Sequence, residues 1–188
     1  MILGHYDLIN AFKTDWKIFK DNKHVPPQKL HIGSNSIDVS LTGKYIHLES
    51  EYHTIDPEKT KIETIETIND EYHLLPGEFV LTNVRERFNC TQMYMSNYYA
   101  QMIEGRSTLA RLGIAIHLTA GFGDYGFEGS FTLELFNHSK NTIILRPGMR
   151  VAQVYFIQIS NPKTYKGAYM SEDHFIKPVQ PKLGEGRF

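Results

Sequence analysis

Two periodicities divide the chain. Leu8, Phe12 and Trp16 recur at i, i+4 and i+8, the spacing of one apolar helix face, and predict a short N-terminal helix covering an edge of the domain. From Ser36 the period falls to two, with Ile37, Val39 and Leu41 alternating with Ser36, Asp38 and Ser40 as in a half-buried strand. Further β-type stretches lie at 45–48, 78–82, 113–118, 130–135, 142–145 and 151–159, separated by Pro-Gly at 76–77 and 147–148 and by Gly and Asn clusters. Many short strands with turns between them predict an antiparallel barrel or sandwich. The polar stretch 59–70 reads as a loop despite Ile62, Ile65 and Ile68. Residues 161–188 carry three of the eight prolines and little periodic hydrophobicity, so they are expected to form an arm on a domain spanning 1–160.

A chain of 188 residues with 41% hydrophobic residues suits one domain with a sizeable core. Twenty Lys plus Arg against 21 Asp plus Glu leaves a net charge of -1, so no global basic field collects nucleic acid or an anionic membrane. Any polyanion has to be bound locally. Apolar runs such as Ile143-Ile144-Leu145 fall far short of the roughly 20 residues that span a bilayer. The first residues lack a basic stretch followed by an apolar one, and a cytoplasmic protein is expected.

Chemistry concentrates between residues 104 and 137. The segment E-G-R-S-T-L-A-R-L-G at 104–113 offers a hydroxyl able to cap, a turn of good helix formers and a glycine stop, predicting a short helix that starts at Ser107. With Arg106 and Arg111 beside it, such a helix start suits phosphate oxygens, although the spacing alone fits an ordinary capped turn equally well. Next comes T-A-G-F-G-D-Y-G-F-E-G at 119–129, where four glycines in nine residues let the backbone approach a ligand closely. In the strand after it, Phe131, Leu133 and Leu135 share one face and Thr132 and Glu134 the other. Burial would raise the pKa of Glu134 and fit it for proton transfer near neutrality, whereas periodicity alone favours a solvent-facing glutamate.

These two segments resemble the hallmark of the dCTP deaminase family, E-G-(R/K)-S-S-L-A-R-L-G followed by T-A-G-F-x-D-x-G-F-x-G-x-x-T-L-E-L-x-N. The resemblance extends to Met1-Ile2-Leu3 with Asp7, Ser36-Ile37-Asp38-Val39, Ile55-Asp56-Pro57, 76–81 and 145–153. It implies a mainly β, distorted jelly-roll, dUTPase-like barrel with the two short helices, closed as a homotrimer with active sites shared between subunits.

The resemblance also assigns roles. Glu134 would be general base and acid, Ser107 and the Ala120 carbonyl would position water, and Arg111 would support developing charge. Asp124 would hold the sugar 3'-hydroxyl and a second hydrolytic water. Arg106 and Gln153 would face the phosphates, and Thr108, Thr119, Gly121, Phe127, Tyr165, Lys166 and Tyr169 would complete the binding of dCTP or dUTP. Magnesium would arrive on the triphosphate, with no metal held by protein residues alone. Zinc base deaminases need a His or Cys and two further cysteines around the metal, a set that His47-Leu48-Glu49 begins and a lone Cys90 cannot complete.

Gly121 stands where deaminase-only enzymes often carry His, which favours a bifunctional enzyme yielding dUMP. The alternatives are a dUTPase without deamination, a dNTP-binding regulatory trimer without turnover, and a deaminase for a modified dCTP. Departures from the pattern are Ser40 for Arg, Gly123 for Ile, Tyr125 for Pro, and Ala168 and Glu172 for Lys and Gln in the arm. Tyr94, Tyr98 and Tyr99 are expected in the core or a subunit interface rather than in a base-stacking platform, and His117 is expected to be structural on a strand.

Overall fold

The Leu8–Phe12 stripe forms the helix it predicts, α1 (His5–Thr14), which buries Leu8, Ala11 and Phe12. The helix stops before Trp16, whose amide, like that of Asp15, bonds back to the Ala11 carbonyl. Trp16 nonetheless reaches the same core from beyond the helix, 1% exposed, with its ring 4.7 Å from that of Phe156 and its indole N–H bonded to the Gln92 carbonyl.

The computed structural model describes residues 1–49, 54, 56 and 63–166. Its strands are β1 (Lys17–Lys20), β2 (Lys23–His24), β3 (Ile37–Glu49), β4 (Glu63–Ile68), β5 (Tyr72–Leu74), β6 (Phe79–Val84), β7 (Glu86–Asn89), β8 (Tyr98–Gly105), β9 (Ile114–Ala115), β10 (Phe122–Gly123), β11 (Glu128–Gly129), β12 (Thr132–Asn137), β13 (Ile143–Leu145) and β14 (Arg150–Ile159), with a second helix, α2 (Ser107–Arg111), between β8 and β9. A long antiparallel sheet runs β10-β8-β14-β3-β6-β12-β9, with β4 also on β3. Smaller sheets pair β11-β7-β1-β2 and β13-β5. The class is mainly β with two short helices, as expected, and the core lies between these sheets under α1.

The two stretches read separately at 36–41 and 45–48 are one strand, β3, bent at Gly43. Gly43 has φ +88°, and a Cβ there would lie 2.5 Å from the Pro147 ring, so only glycine lets the strand turn under the Pro147 turn. The register on β6 shifts between Leu41 and Tyr45 at this bulge.

Residues 63–68 overturn the loop reading: Lys44 to Glu49 of β3 pair with Glu63–Ile68 along their whole length. The isoleucines misled because they recur every third residue rather than every second, and Ile65 and Ile68 point outward at 46% and 71% exposure. A second correction concerns 113–118, where only Ile114–Ala115 is strand. The chain then leaves the sheet, so His117 lies in a connecting segment rather than on a strand.

Ser40 is buried against the Glu86 carboxylate, which accepts bonds from the Ser40 amide and hydroxyl, both at 2.8 Å. The cation that an arginine would bring at position 40 comes instead from β1: Lys20 Nζ lies 3.0 Å from Glu86 and 3.1 Å from the Ser40 hydroxyl. Tyr94 and Tyr99 are buried around Trp16, at ring distances of 5.8 Å and 5.6 Å, and so serve the core. Among the described residues no helix is long and apolar enough to cross a membrane.

Candidate active site

Glu134 is placed by the alternation that predicts it. On β12, Leu133 and Leu135 are fully buried and Glu134 faces the other way, opposite Leu81 of β6 and half-buried rather than sealed in the core. Its own amide bonds to the Ile116 carbonyl at 3.0 Å, and its Oε2 accepts the Leu118 amide at 3.0 Å. The carboxylate is thereby pinned to the segment that leads into the Gly-rich loop. Oε1 has no hydrogen-bond partner among the described residues.

That segment continues through Thr119 and Ala120, both exposed, to buried Gly121. The Gly121 carbonyl accepts the Ile103 amide at 2.9 Å, closing the loop onto β8. A Cβ at Gly121 would meet His117 Nε2 at 2.8 Å and the Ile103 carbonyl at 2.9 Å. The missing side chain is the space that the His117 ring occupies, with His117 Nε2 3.6 Å from the Glu104 carboxylate.

Beyond Gly121 the loop turns on itself. The Phe127 amide bonds to the Asp124 carbonyl at 3.0 Å across Gly126, which has φ +89°. Gln101 Nε2 holds the Phe127 carbonyl from β8 at 3.1 Å. Gly123 suits its place because a Cβ there would lie 3.1 Å from the Phe131 ring, so Phe131 fills the volume that a larger residue at 123 would need. Tyr125 packs edge-on to Tyr98 at 5.1 Å, and its carbonyl accepts the Tyr165 amide at 2.8 Å. The chain leaving β14 thus crosses the loop and brings the Tyr165 ring to 6.4 Å from Phe127.

A second group gathers at the far end of β8. Arg106 ends the strand with its amide on the Val151 carbonyl, and its guanidinium lies 3.5 Å from Asp38, which also holds Arg150 at 3.0 Å. Gln153 sits opposite Asp38 on β3 and Glu104 on β8 in register, with its Oε1 3.3 Å from the Ser36 hydroxyl. Two cations, a carboxylate and an amide therefore share one rim. Arg150 and Asp38 were not singled out as contacts from the sequence, although both lie in segments quoted for the resemblance.

The short helix α2 forms as predicted, but Ser107 is not its cap: Arg106 takes that position in extended conformation, and no side chain caps the helix. Gly113, with φ +91°, turns the chain after α2 into β9 as expected of a stop. Ser107, Thr108 and Arg111 are exposed with no side-chain partner among the described residues, and the same holds for Asp124 and Thr119. Within one chain the structure joins Glu134 to the 116–121 segment, Phe127 to Tyr165, and Arg106 to the Gln153 strand. No hydrogen bond or ion pair links Glu134 to Ser107 or Arg111. Lys166 is exposed at the end of the described chain, and Tyr169, Ala168 and Glu172 lie outside the described residues. Among the described residues no group of three or more His, Cys, Asp or Glu converges on a common point.

Comparison with known proteins gives one consistent family. Residues 13–159 match the model of the dCTP deaminase-like family. The chain is 38% identical over 142 residues to a protein of Dictyoglomus thermophilum named "dCTP deaminase, dUMP-forming", covering 72% of this chain and 70% of the relative. It is 37% identical over 166 residues to the protein of that name from Dictyoglomus turgidum, covering 84% and 82%. A protein of the same name from Tropheryma whipplei is 40% identical over 144 residues, covering 72% and 68%. Among solved structures, the fold is like that of the 2'-deoxycytidine 5'-triphosphate deaminase from Agrobacterium tumefaciens, with TM-score 0.58 and 17% identity over 85% of this chain. The match spans 48% of that chain, about half its length.

Proposed function

The chain belongs to the dCTP deaminase-like family, and we propose that it converts dCTP to dUTP and ammonia and carries the product on to dUMP and pyrophosphate. The observation that carries the reading is the state of the Glu134 carboxylate. One oxygen is fixed by the Leu118 amide and the other is open, on a strand position that faces away from the core.

In this reading Glu134 Oε1 takes a proton from a water attacking C4 of the cytosine ring. As the C4–oxygen bond forms, Glu134 passes that proton to N3; it then takes the remaining hydroxyl proton from the tetrahedral carbon and gives it to the amino group, so that the C4–N bond breaks, ammonia leaves and the C4 carbonyl of the uracil ring forms. The Ala120 carbonyl, which accepts no hydrogen bond among the described residues, and the unengaged Ser107 hydroxyl orient that water. Arg111 stabilises charge developing at the ring. In this reading the complete site is shared between neighbouring subunits of a homotrimer, in keeping with the lack of a link between Glu134 and Ser107 or Arg111 inside one chain.

For the second step, Asp124 is exposed on the turn closed by Gly126 and supplies a carboxylate for a water attacking the α-phosphorus, with pyrophosphate leaving. Arg106 and Gln153 meet the phosphates, and the chain that leaves β14 passes Tyr125 and Phe127 at Tyr165. Magnesium would be carried largely by the triphosphate, since Mg²⁺ keeps several waters and uses few protein ligands. When bound, magnesium neutralises phosphate charge. We place the reaction in the cytoplasm, with its deoxynucleotide substrates.

Incubation with dCTP, dUTP and base-modified dCTPs, with triphosphate, monophosphate and ammonia separated, tests the reading. Ammonia from dCTP together with dUMP is the expected result. Pyrophosphate from dUTP without any ammonia would make the chain a dUTPase, and binding without either product would make it a sensor.

A further inference from the structure

A cavity of about 460 Å³ opens on a different part of the molecule, between the β1–β2 hairpin, the β3 bulge and the Pro147 turn. Its charged lining is Lys44, Arg85, Arg87 and Asp21, three cations against one carboxylate. Arg85 is paired with Asp21, and Arg87 reaches Glu128 while its guanidinium lies 5.4 Å above the Phe19 ring. Lys44 has no ion-pair partner among the described residues. Ser130 also faces the cavity. It is 6% exposed, and its hydroxyl has no hydrogen-bond partner among the described residues.

Facing a hollow lined by three cations and one carboxylate, that hydroxyl is placed to donate to an anion held there. The volume falls within the range of small-molecule sites, about 300 to 1,000 Å³. The bend at Gly43 turns Lys44 and its neighbour Thr42 to this side, so the local conformation builds the wall. None of the lining residues belongs to the site formed by Glu134, Arg106 and the Gly-rich loop.

We propose that this cavity is a second anion site, which takes a phosphoryl oxyanion either as free phosphate or pyrophosphate or as the phosphate tail of a nucleotide. Lys44 supplies the free charge, Ser130 donates from the floor, and Arg85 and Arg87 close around the oxygens. Because Arg87 also holds Glu128 of β11, occupancy is felt one residue from Phe127 in the Gly-rich loop.

Calorimetric titration of the full chain with inorganic pyrophosphate, inorganic phosphate and dUMP tests this, using wild type, Lys44→Gln, Ser130→Ala and Arg106→Ala. The expected result is two binding events: one that Lys44→Gln weakens by about tenfold or more, that Ser130→Ala weakens measurably and that Arg106→Ala leaves in place, and a second, at the substrate site, that Arg106→Ala weakens. Preference for pyrophosphate or for dUMP identifies the free or the nucleotide-borne source, and either supports the site. If Arg106→Ala changes nothing while Lys44→Gln still removes binding, the cavity stands and the phosphate role of Arg106 fails. Binding that only Arg106→Ala removes, or no binding by melting-verified folded variants and wild type alike, overturns the proposal.

Discussion

Glu134 Oε2 and the Leu118 amide lie 3.0 Å apart, and this one bond ties a half-buried carboxylate on β12 to the segment that becomes the Gly-rich loop. Anchoring one oxygen fixes the direction of the other, the condition for a positioned proton acceptor. Replacing Glu134 by Gln keeps an oxygen able to accept from Leu118 and removes the base. Ammonia release should fall by roughly 10²- to 10⁴-fold, the usual worth of general acid–base catalysis, with little change in melting temperature. Pyrophosphate release from dUTP, which does not use this proton, should persist. Retention of full deamination by the variant would remove Glu134 from the mechanism.

Gly121 tests the loop from the other side. A methyl group there meets His117 at 2.8 Å and the Ile103 carbonyl at 2.9 Å, and the second obstacle is backbone already engaged by the Gly121–Ile103 ladder. Gly121→Ala should cost about 1–3 kcal/mol of stability and lower deamination by roughly tenfold or more, because the shift travels through residues 118–120 to Glu134. Adding His117→Ala should recover part of the stability, since it clears one obstacle and leaves the carbonyl. Thermal unfolding and ammonia release measured on the single and double variants check both statements.

Much of this site was legible because its residues obey simple rules: strict alternation placed Glu134 opposite Leu133 and Leu135, and the glycines at 121–129 marked close backbone approach. Other parts were hidden for physical reasons. Ile65 and Ile68 sit exposed on β4, so their strand carries no two-residue apolar signature. In β7 the buried positions are Glu86 and Phe88, and Glu86 is a carboxylate whose partners at Lys20 and Ser40 are more than forty residues away in sequence. The pairing of Asp38 with Arg106 and Arg150 is likewise a product of β3, β8 and β14 lying side by side, which no local pattern encodes.

The Lys20–Glu86 pair makes a stability prediction. Glu86 is 5% exposed and accepts two bonds from Ser40, and its close cation among the described residues is Lys20 on β1. Lys20→Met leaves that carboxylate without a counter-charge and should destabilise the fold by about 1–3 kcal/mol, less than for a fully buried pair because Lys20 is one-third exposed. Lys20→Met combined with Glu86→Gln should be less destabilised than the sum of the two single changes. Chemical denaturation of the four proteins gives the coupling directly, and strict additivity would show that the pair does not interact.

Metal dependence separates two chemistries. If, as proposed, magnesium arrives on the triphosphate and zinc takes no part, removing divalent ions with a general chelator suppresses both product-forming steps, and added magnesium restores them. A zinc-selective chelator should leave ammonia release unchanged. Inactivation by the zinc chelator, reversed by zinc alone, would contradict the proposed role of Glu134.

Tyr45 offers a pH test that is independent of catalysis. It is fully buried, stacked on Tyr72 at 4.0 Å, and its hydroxyl has no hydrogen-bond partner among the described residues. Burial pushes its pKa up to about 12 from an ordinary value of 10.0. The folded protein therefore holds this proton more tightly than the unfolded chain does. The resulting stability is fully present below pH 10 and is lost as pH rises from 10 towards 12, by up to about 2–3 kcal/mol. Tyr72 adds to the same trend, since burial and its bond to Glu78 also raise its pKa. Tyr45→Phe removes an unsatisfied buried hydroxyl without removing the stacked ring, so at neutral pH its melting temperature should equal or exceed that of wild type. Between pH 10 and 12 its melting temperature should fall less steeply than that of wild type. Parallel alkaline slopes for the two proteins would show that the Tyr45 proton is not linked to folding.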